Sequence, residues 1–342
     1  ECFCIDDGWA VVGEWEPTES LFPDGGLESV IKYISDKGMR PGLWFEFEKT
    51  TYKVAEELGE DVILKRNGYV IAPNRPKLDL RNEKARKWLI SKIDNVYKMG
   101  VRYIKNDHNN DEFLGTNYEG ENPAEGLRKK HEAFISFIKE LYEKYPDLVI
   151  ENCSAGGGRS EYGTLKYCSL QSITDQEDYK LMPSVISGCM AQLQPEKAGI
   201  WAYPYPLLFK DMSAFVKPTS EIEECADGRE TIFNMISGMC GYLYLSGRVD
   251  LADKTNTGLI KEAVKVYKTY RNDISYRYPV FPFGLKNMCE TDKNALGLIS
   301  EKSDDVILFV WALREKDFVI DLSEYGFNSV EKLYGDNISF AL

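Results

Sequence analysis

Four aspartates stand at the ends of short apolar runs. Asp6 and Asp7 lie in CFCIDDGW (2–9), Asp107 in RYIKNDHN (102–109) and Asp175 in SITDQED (172–178). Carboxylates held on one face can act as general acid, general base or nucleophile. A pair flanking a glycosidic bond is the working part of most glycosidases: one attacks or activates water, and the other protonates the leaving oxygen. A carboxylate nucleophile must stay ionised, and Lys105, two residues before Asp107 on the same strand face, would stabilise that charge. Trp44 in GLWFEFE (42–48) and Arg159 at the end of LVIENCSAGGGR (148–159) close two further runs of the same kind. An aromatic ring such as Trp44 could stack on the apolar face of a sugar, although a core position would serve it equally.

Such tips meet only if the runs are parallel strands of one barrel, which collects its strand C-termini on one face. Strands are predicted at the first run and over 41–46, 102–106, 147–152, 169–174, 198–203 and 240–245. Between them lie 3.6-residue apolar patterns: Leu27 to Ile34 before Gly38, Trp88 to Tyr97 before Gly100, Phe134 to Tyr142 before Pro146, and about 229–238 and 257–270. Alternation of this kind calls for a parallel α/β fold. Seven strands are one short of a (β/α)8 TIM barrel, and the simplest reading places the absent first strand before Glu1, making the chain a fragment. That barrel is predicted over 1–279. The runs ALGLIS, DVILFVWAL and FVIDL beyond it predict the start of an antiparallel β-sandwich over 280–342.

Composition narrows the partners. With 342 residues and 43% apolar content the chain can bury a large core, and 21 Tyr and 6 Trp supply aromatic surface for sugars. A formal net charge of −13 argues against nucleic acid and anionic membranes and favours a neutral substrate. Eight cysteines (2, 4, 153, 168, 189, 225, 240, 289) show no CxxC pair and no zinc-like spacing. Apart from Cys153 they read as reduced core thiols. No run approaches a membrane span, and no signal peptide is visible. The acidic stretches 119–125 and 221–227 read as solvated loops or faces.

The ordered series IDDGW, GLWFE, LDL (78–80), IKND, ENCSAGGGR and TDQED resembles glycoside hydrolase family 36, the α-galactosidases and their relatives, over roughly residues 1–285. The resemblance implies a retaining, exo-acting α-galactosidase working by double displacement, with Asp107 as nucleophile and Asp175 as acid/base. It further implies that Asp6 and Asp7 bind the O4 and O6 hydroxyls of galactose. Trp44, Lys105, Cys153 and Arg159 then line the sugar subsite, and Arg75 is a further candidate. No cofactor or metal is required. The expected partner is an α-galactoside, with no nucleic acid or membrane; a homo-oligomer of the full-length protein and a cytoplasmic location follow relatives. The chain departs from the family at Asn106, where K-W-D is usual, at Phe47, where W-F-E-P-E has proline, and at Ala155, a glycine position after Cys-Ser. These changes leave open α-N-acetylgalactosaminidase or galactosyl-transferring activity, and beside them a noncatalytic sugar-binding relative.

Several residues have plainer readings. Asp6 and Asp7 precede a glycine and could build a turn, though adjacent acids repel. Asp178 competes with Asp175 but could cap a helix. His108 points away from its neighbour Asp107 on a strand and reads as structural. Gly156, Gly157 and Gly158 lack the lysine and serine of a phosphate loop and read as a close backbone approach to a sugar.

Overall fold

The computed structural model describes residues 1–342 except 110–114, 118–119, 121, 205–227, 248, 289, 291, 314–316, 328 and 337–342. Cys225, Cys289, the stretch 221–227 and part of 119–125 lie outside the described residues. The chain divides into two units, Glu1–Gln171 and Ser172–Leu342.

The first unit alternates strands and helices. Its parallel strands are β1 (Cys2–Ile5), β2 (Arg40–Phe45), β5 (Tyr103–Asn106) and β6 (Val149–Asn152), with the first residues of β7 (Leu170–Ser172). Between them lie α1 (Gly26–Asp36), α2 (Tyr52–Leu58), the hairpin β3 (Lys65–Arg66) and β4 (Tyr69–Val70), α3 (Glu83–Met99), α4 (Pro123–Lys144) and α5 (Tyr162–Leu165). Pro41 to Phe45 are all buried, as expected of a strand covered on both faces. The pattern that predicted α1 is its inner face: Leu27, Ile31 and Ile34 are buried. Asn82 caps α3 by accepting from the Lys84 N–H at 2.9 Å, and Gly100, at φ 115°, ends it. Asn122 caps α4, whose first residue is Pro123. An aromatic core of Trp9, Trp15, Phe45, Phe47 and Phe137 fills the space beneath β2, with Trp15 and Phe45 4.9 Å apart and Phe47 meeting Phe137 edge-on at 5.6 Å.

The second unit holds α6 (Met182–Met190), β8 (Ala198–Ala202), α7 (Arg229–Gly238), β9 (Tyr242–Leu245), α8 (Lys254–Tyr270), β10 (Arg277–Val280), β11 (Lys293–Ser300) and β12 (Val306–Ala312). β8 and β9 pair in parallel from Gly199↔Tyr242 to Ala202↔Leu245. The Tyr267 and Tyr270 hydroxyls of α8 donate to the Gly241 and Met239 carbonyls at 2.8 and 2.7 Å. β10, β11 and β12 form a separate antiparallel sheet.

The seven parallel strands run in the order β1-β2-β5-β6-β7-β8-β9, the succession of a (β/α)8-type sheet. All seven expected strands are present, within two residues of their expected ends except for the first, which stops short of its run. Two expectations change. FVIDL forms no strand; an apolar run becomes a strand only where a neighbour can satisfy its backbone. Cys2 is exposed on β1, whose pairing among the described residues is with β2, and it does not sit in the core they form. α2 and α6 are short or all-round apolar, and periodicity did not reveal them.

Candidate active site

β5 delivers Asp107 just past its end, where the Asp107 N–H donates to the Phe45 carbonyl of β2 at 2.7 Å. The carboxylate is only 8% exposed. Oδ1 accepts from the His108 N–H at 2.7 Å and the Ala155 N–H at 3.1 Å. Oδ2 accepts from the Trp44 indole N–H at 3.2 Å and the Asn109 side-chain amide at 3.1 Å. Burial alone would raise the Asp107 pKa, but the His108 N–H, the Trp44 indole, the Lys105 charge and the Ala155 N–H together hold it below the ordinary aspartate value. An ionised, oriented carboxylate of this kind is equipped to be a nucleophile.

The layer below is set by register. Trp44 pairs with Lys105 across β2 and β5, and Lys105 with Glu151 across β5 and β6, so their side chains share one face. The Lys105 ammonium donates to Asp6 Oδ2 at 2.8 Å. Burial would strip that lysine of its proton; Asp6, with Cys153 and Glu151, more than offsets this and keeps it firmly charged. Lys105 therefore bridges Asp6 and the field of Asp107. Asp7 is exposed, and its N–H donates to Asp6 Oδ1 at 2.9 Å. Cys153 is fully buried, its N–H on the Asn106 carbonyl at 2.9 Å. Trp44 is 4% exposed and packed on Trp15 at 5.9 Å, so its demonstrated polar contact is with Asp107.

The AGGGR loop is the wall over Oδ1. Ala155, at φ 42°, adopts a left-handed backbone that aims its N–H at Asp107, and Gly156 follows at φ 80°. A Cβ at Gly158 would lie 2.7 Å from the Ser154 carbonyl oxygen, so only glycine closes this turn without displacement. Asn152 holds the far end through the Arg159 carbonyl at 2.9 Å. The Arg159 guanidinium turns to Glu48 Oε2 at 2.5 Å, and Lys130 of α4 meets Glu48 Oε1 at 2.7 Å. His108 Nε2 lies 3.6 Å from the same carboxylate. Arg75 is exposed.

Asp175, in the second unit, is exposed on the segment after β7. Asp178 Oδ1 accepts the Lys180 N–H at 3.0 Å, a turn just before α6, in keeping with a local structural part. Among the described residues no group of three or more His, Cys, Asp or Glu could hold a metal ion.

The melibiase family model matches residues 1–275. The chain belongs to the melibiase family. α-Galactosidase 1 of Pediococcus pentosaceus is 27% identical over 339 residues, covering 92% of this chain and 42% of the relative. The crystal structure of an α-galactosidase from Lactobacillus brevis superposes with a TM-score of 0.75 at 19% identity, over 93% of this chain and 42% of that one. A variant of α-galactosidase AgaA from Geobacillus stearothermophilus, solved with raffinose, gives 0.72 at 20%, over 90% and 42%. The chain thus spans less than half the length of these relatives.

Two departures from the melibiase-family pattern explain each other. Phe47 is fully buried and, unlike proline, carries an N–H. The Asn106 side-chain oxygen accepts that N–H at 3.0 Å. A buried donor without a partner costs about 1–3 kcal/mol, so the asparagine and the phenylalanine are matched. Asn106 is 2% exposed and occupied inside the wall, whereas its position in the motif suggested an influence on the substrate.

Two residues that the motif series left without a role complete the site. Asn109 donates its side-chain amide to Glu46 Oε1 at 2.6 Å as well as to Asp107, and its backbone N–H reaches the same Glu46 oxygen at 3.0 Å. Glu46 is 1% exposed and fixes which way the amide faces. The signal was present in the sequence as an amide two residues beyond the strand-tip aspartate, on its own face. Asn109→Ala is expected to lower kcat/KM about tenfold and move its acid limb to higher pH, because the carboxylate loses a donor that favours its charged form. A pH profile measured beside the parent checks this.

Proposed function

We propose that this chain carries the catalytic barrel of a retaining, exo-acting α-galactosidase. The observation that carries the reading is the Asp107 carboxylate, ionised and held by four N–H donors at the end of a barrel strand. The names of the melibiase-family relatives, and a raffinose complex among them, support galactose as the sugar. Asp107 attacks the anomeric carbon while the bond to the aglycone oxygen breaks, and Asp175 gives that oxygen its proton. Asp175 then takes a proton from water, which attacks the glycosyl-enzyme and frees both the sugar and Asp107.

Asp6 and Asp7 would bind the O4 and O6 hydroxyls, the former already oriented by Lys105. Trp44, Lys105 and Cys153 form the floor, and Arg159 stiffens the wall through Glu48. The reading assigns residues 1–279 to the catalytic domain and 280–342 to the start of a β-sandwich, with assembly and cytoplasmic residence belonging to the full-length protein. Among the described residues no helix is long and apolar enough to cross a membrane.

The deciding test compares aryl α-galactoside with aryl α-N-acetylgalactosaminide in the full-length protein, with Asp107→Ala as the blank. Turnover of the galactoside, absent from the blank, supports the proposal. Preference for the N-acetyl sugar keeps the mechanism and changes the specificity, and silence on both from folded protein favours a binding role. Asp175→Ala is expected to lower kcat/KM roughly 10²–10⁴-fold for galactosides with sugar leaving groups and far less for dinitrophenyl galactoside, whose leaving group needs no proton. A leaving-group series reads this directly.

A further inference from the structure

In an acidic chain a buried cation usually finds a carboxylate, and several in the first unit do: Lys105 sits on Asp6, Arg81 on Asp79, and Lys130 and Arg159 on Glu48. Lys49 does not. It is 7% exposed, yet among the described residues its ammonium makes no hydrogen bond or ion pair. Further cations crowd it. Lys49 forms a backbone bridge with Lys77, Thr50 N–H donates to the Pro76 carbonyl at 3.2 Å, and the exposed Arg75 side chain, also unpartnered, lies in the same turn. Burial, the Arg75 charge and the Lys77 charge together bring the Lys49 pKa down to about 8, with Glu46 opposing.

This corner adjoins the site. The Lys77 ammonium donates to the Asn109 carbonyl at 2.7 Å, and Asn109 holds both Glu46 and Asp107. Among the described residues Lys49, Arg75 and Lys77 gather at this corner of a chain of net charge −13. A partly desolvated ammonium without a partner is unfavourable, and a bound anion would offset that penalty.

We propose that Lys49 and Arg75 form an anion-binding subsite on the Asn109 side of Asp107, which accepts a sulfate, phosphate or carboxylate group carried by the α-galactoside. This rests on the hydrolytic reading above. Lys77 lies beneath it as a fixed charge. The overall negative charge repels anionic substrates at long range, so the subsite acts at contact and discriminates among molecules already in the cleft.

The test uses the full-length protein and three aryl α-galactosides: neutral, sulfated on the ring at O2 or O3, and carrying a carboxylate on the aryl group. One anionic form is expected to show a higher kcat/KM than the neutral one; the ring or aglycone arm that does so identifies the source of the anion. Lys49→Met is expected to lower that anionic-to-neutral ratio about tenfold, and Lys49→Arg to preserve it. In the unaltered protein the ratio should fall as pH rises through about 8, because Lys49 loses its charge there. Calorimetry with inorganic sulfate reads binding without turnover, so a failure of the hydrolytic reading, seen as no turnover of the neutral galactoside, is distinguishable. A ratio unaffected by Lys49→Met and by pH, or no sulfate binding that Lys49→Met weakens, overturns the proposal.

Discussion

Asp107→Ala is expected to lower kcat for aryl α-galactoside hydrolysis roughly 10⁴–10⁶-fold, since no other group can form the glycosyl-enzyme. The variant also leaves four N–H donors facing a cavity, of which two, those of His108 and Trp44, belong to buried residues. A loss of about 1–3 kcal/mol of stability should accompany it, and a thermal melt separates this from the catalytic loss. Added azide gives the sharper readout. In the alanine variant it can enter the vacated space, attack the anomeric carbon from the nucleophile's side and displace the activated aryloxide, producing a β-galactosyl azide. Restored turnover with that inverted product marks Asp107 as the nucleophile. Azide without effect, from folded protein, would leave Asp107 as a binding or positioning residue. In the parent protein the acid limb belonging to Asp107 should lie below the ordinary aspartate range, because its donors outweigh its burial.

Glu48→Gln is expected to produce the largest stability loss, about 3–5 kcal/mol, read from urea or thermal unfolding. Glu48 is 3% exposed and faces Lys130, 4% exposed, and Arg159, so removal of its charge strands two cations in a poorly solvated wall. Burial works to raise the Glu48 pKa, but Arg159, Lys130 and His108 reverse this and hold it well below the usual carboxylate value. The sign follows. With a folded pKa depressed below the unfolded one, the Glu48 contribution is fully present above the unfolded value, about 4.3, and is lost as pH falls toward the folded value. The variant should therefore lose stability at neutral pH and show a weaker acid dependence below about pH 5. Activity should fall too, because Glu48 joins the Arg159 end of the AGGGR loop to His108, and both Ala155 and His108 donate to Asp107. An unchanged unfolding midpoint would show that water reaches this cluster.

That Asp107, Lys105 and Trp44 come together was legible because each sits at the end of an apolar run, and a parallel strand places its C-terminal residues on one face whatever lies between the strands. Where an element depends on its surroundings, the same reasoning failed. FVIDL has the composition of a strand but no strand forms there, and Cys2 has the setting of a core thiol but is exposed among the described residues.

The strand order, the main helices and the family thus follow from the sequence by itself, since periodicity and motif order are local and additive along the chain. Which groups hold Asp107 was decided only by tertiary structure: Ala155 is 48 residues away, Trp44 63, and Asp6 reaches Lys105 across 99. So were the turning of Arg159 onto Glu48, the match of Asn106 to Phe47, and the lysine at position 49 left without an ion pair among the described residues. A hydrogen bond requires its atoms at about 3 Å in a narrow range of directions. Register, loop conformation and rotamer set that geometry jointly, and none of them is encoded in the spacing of residue types.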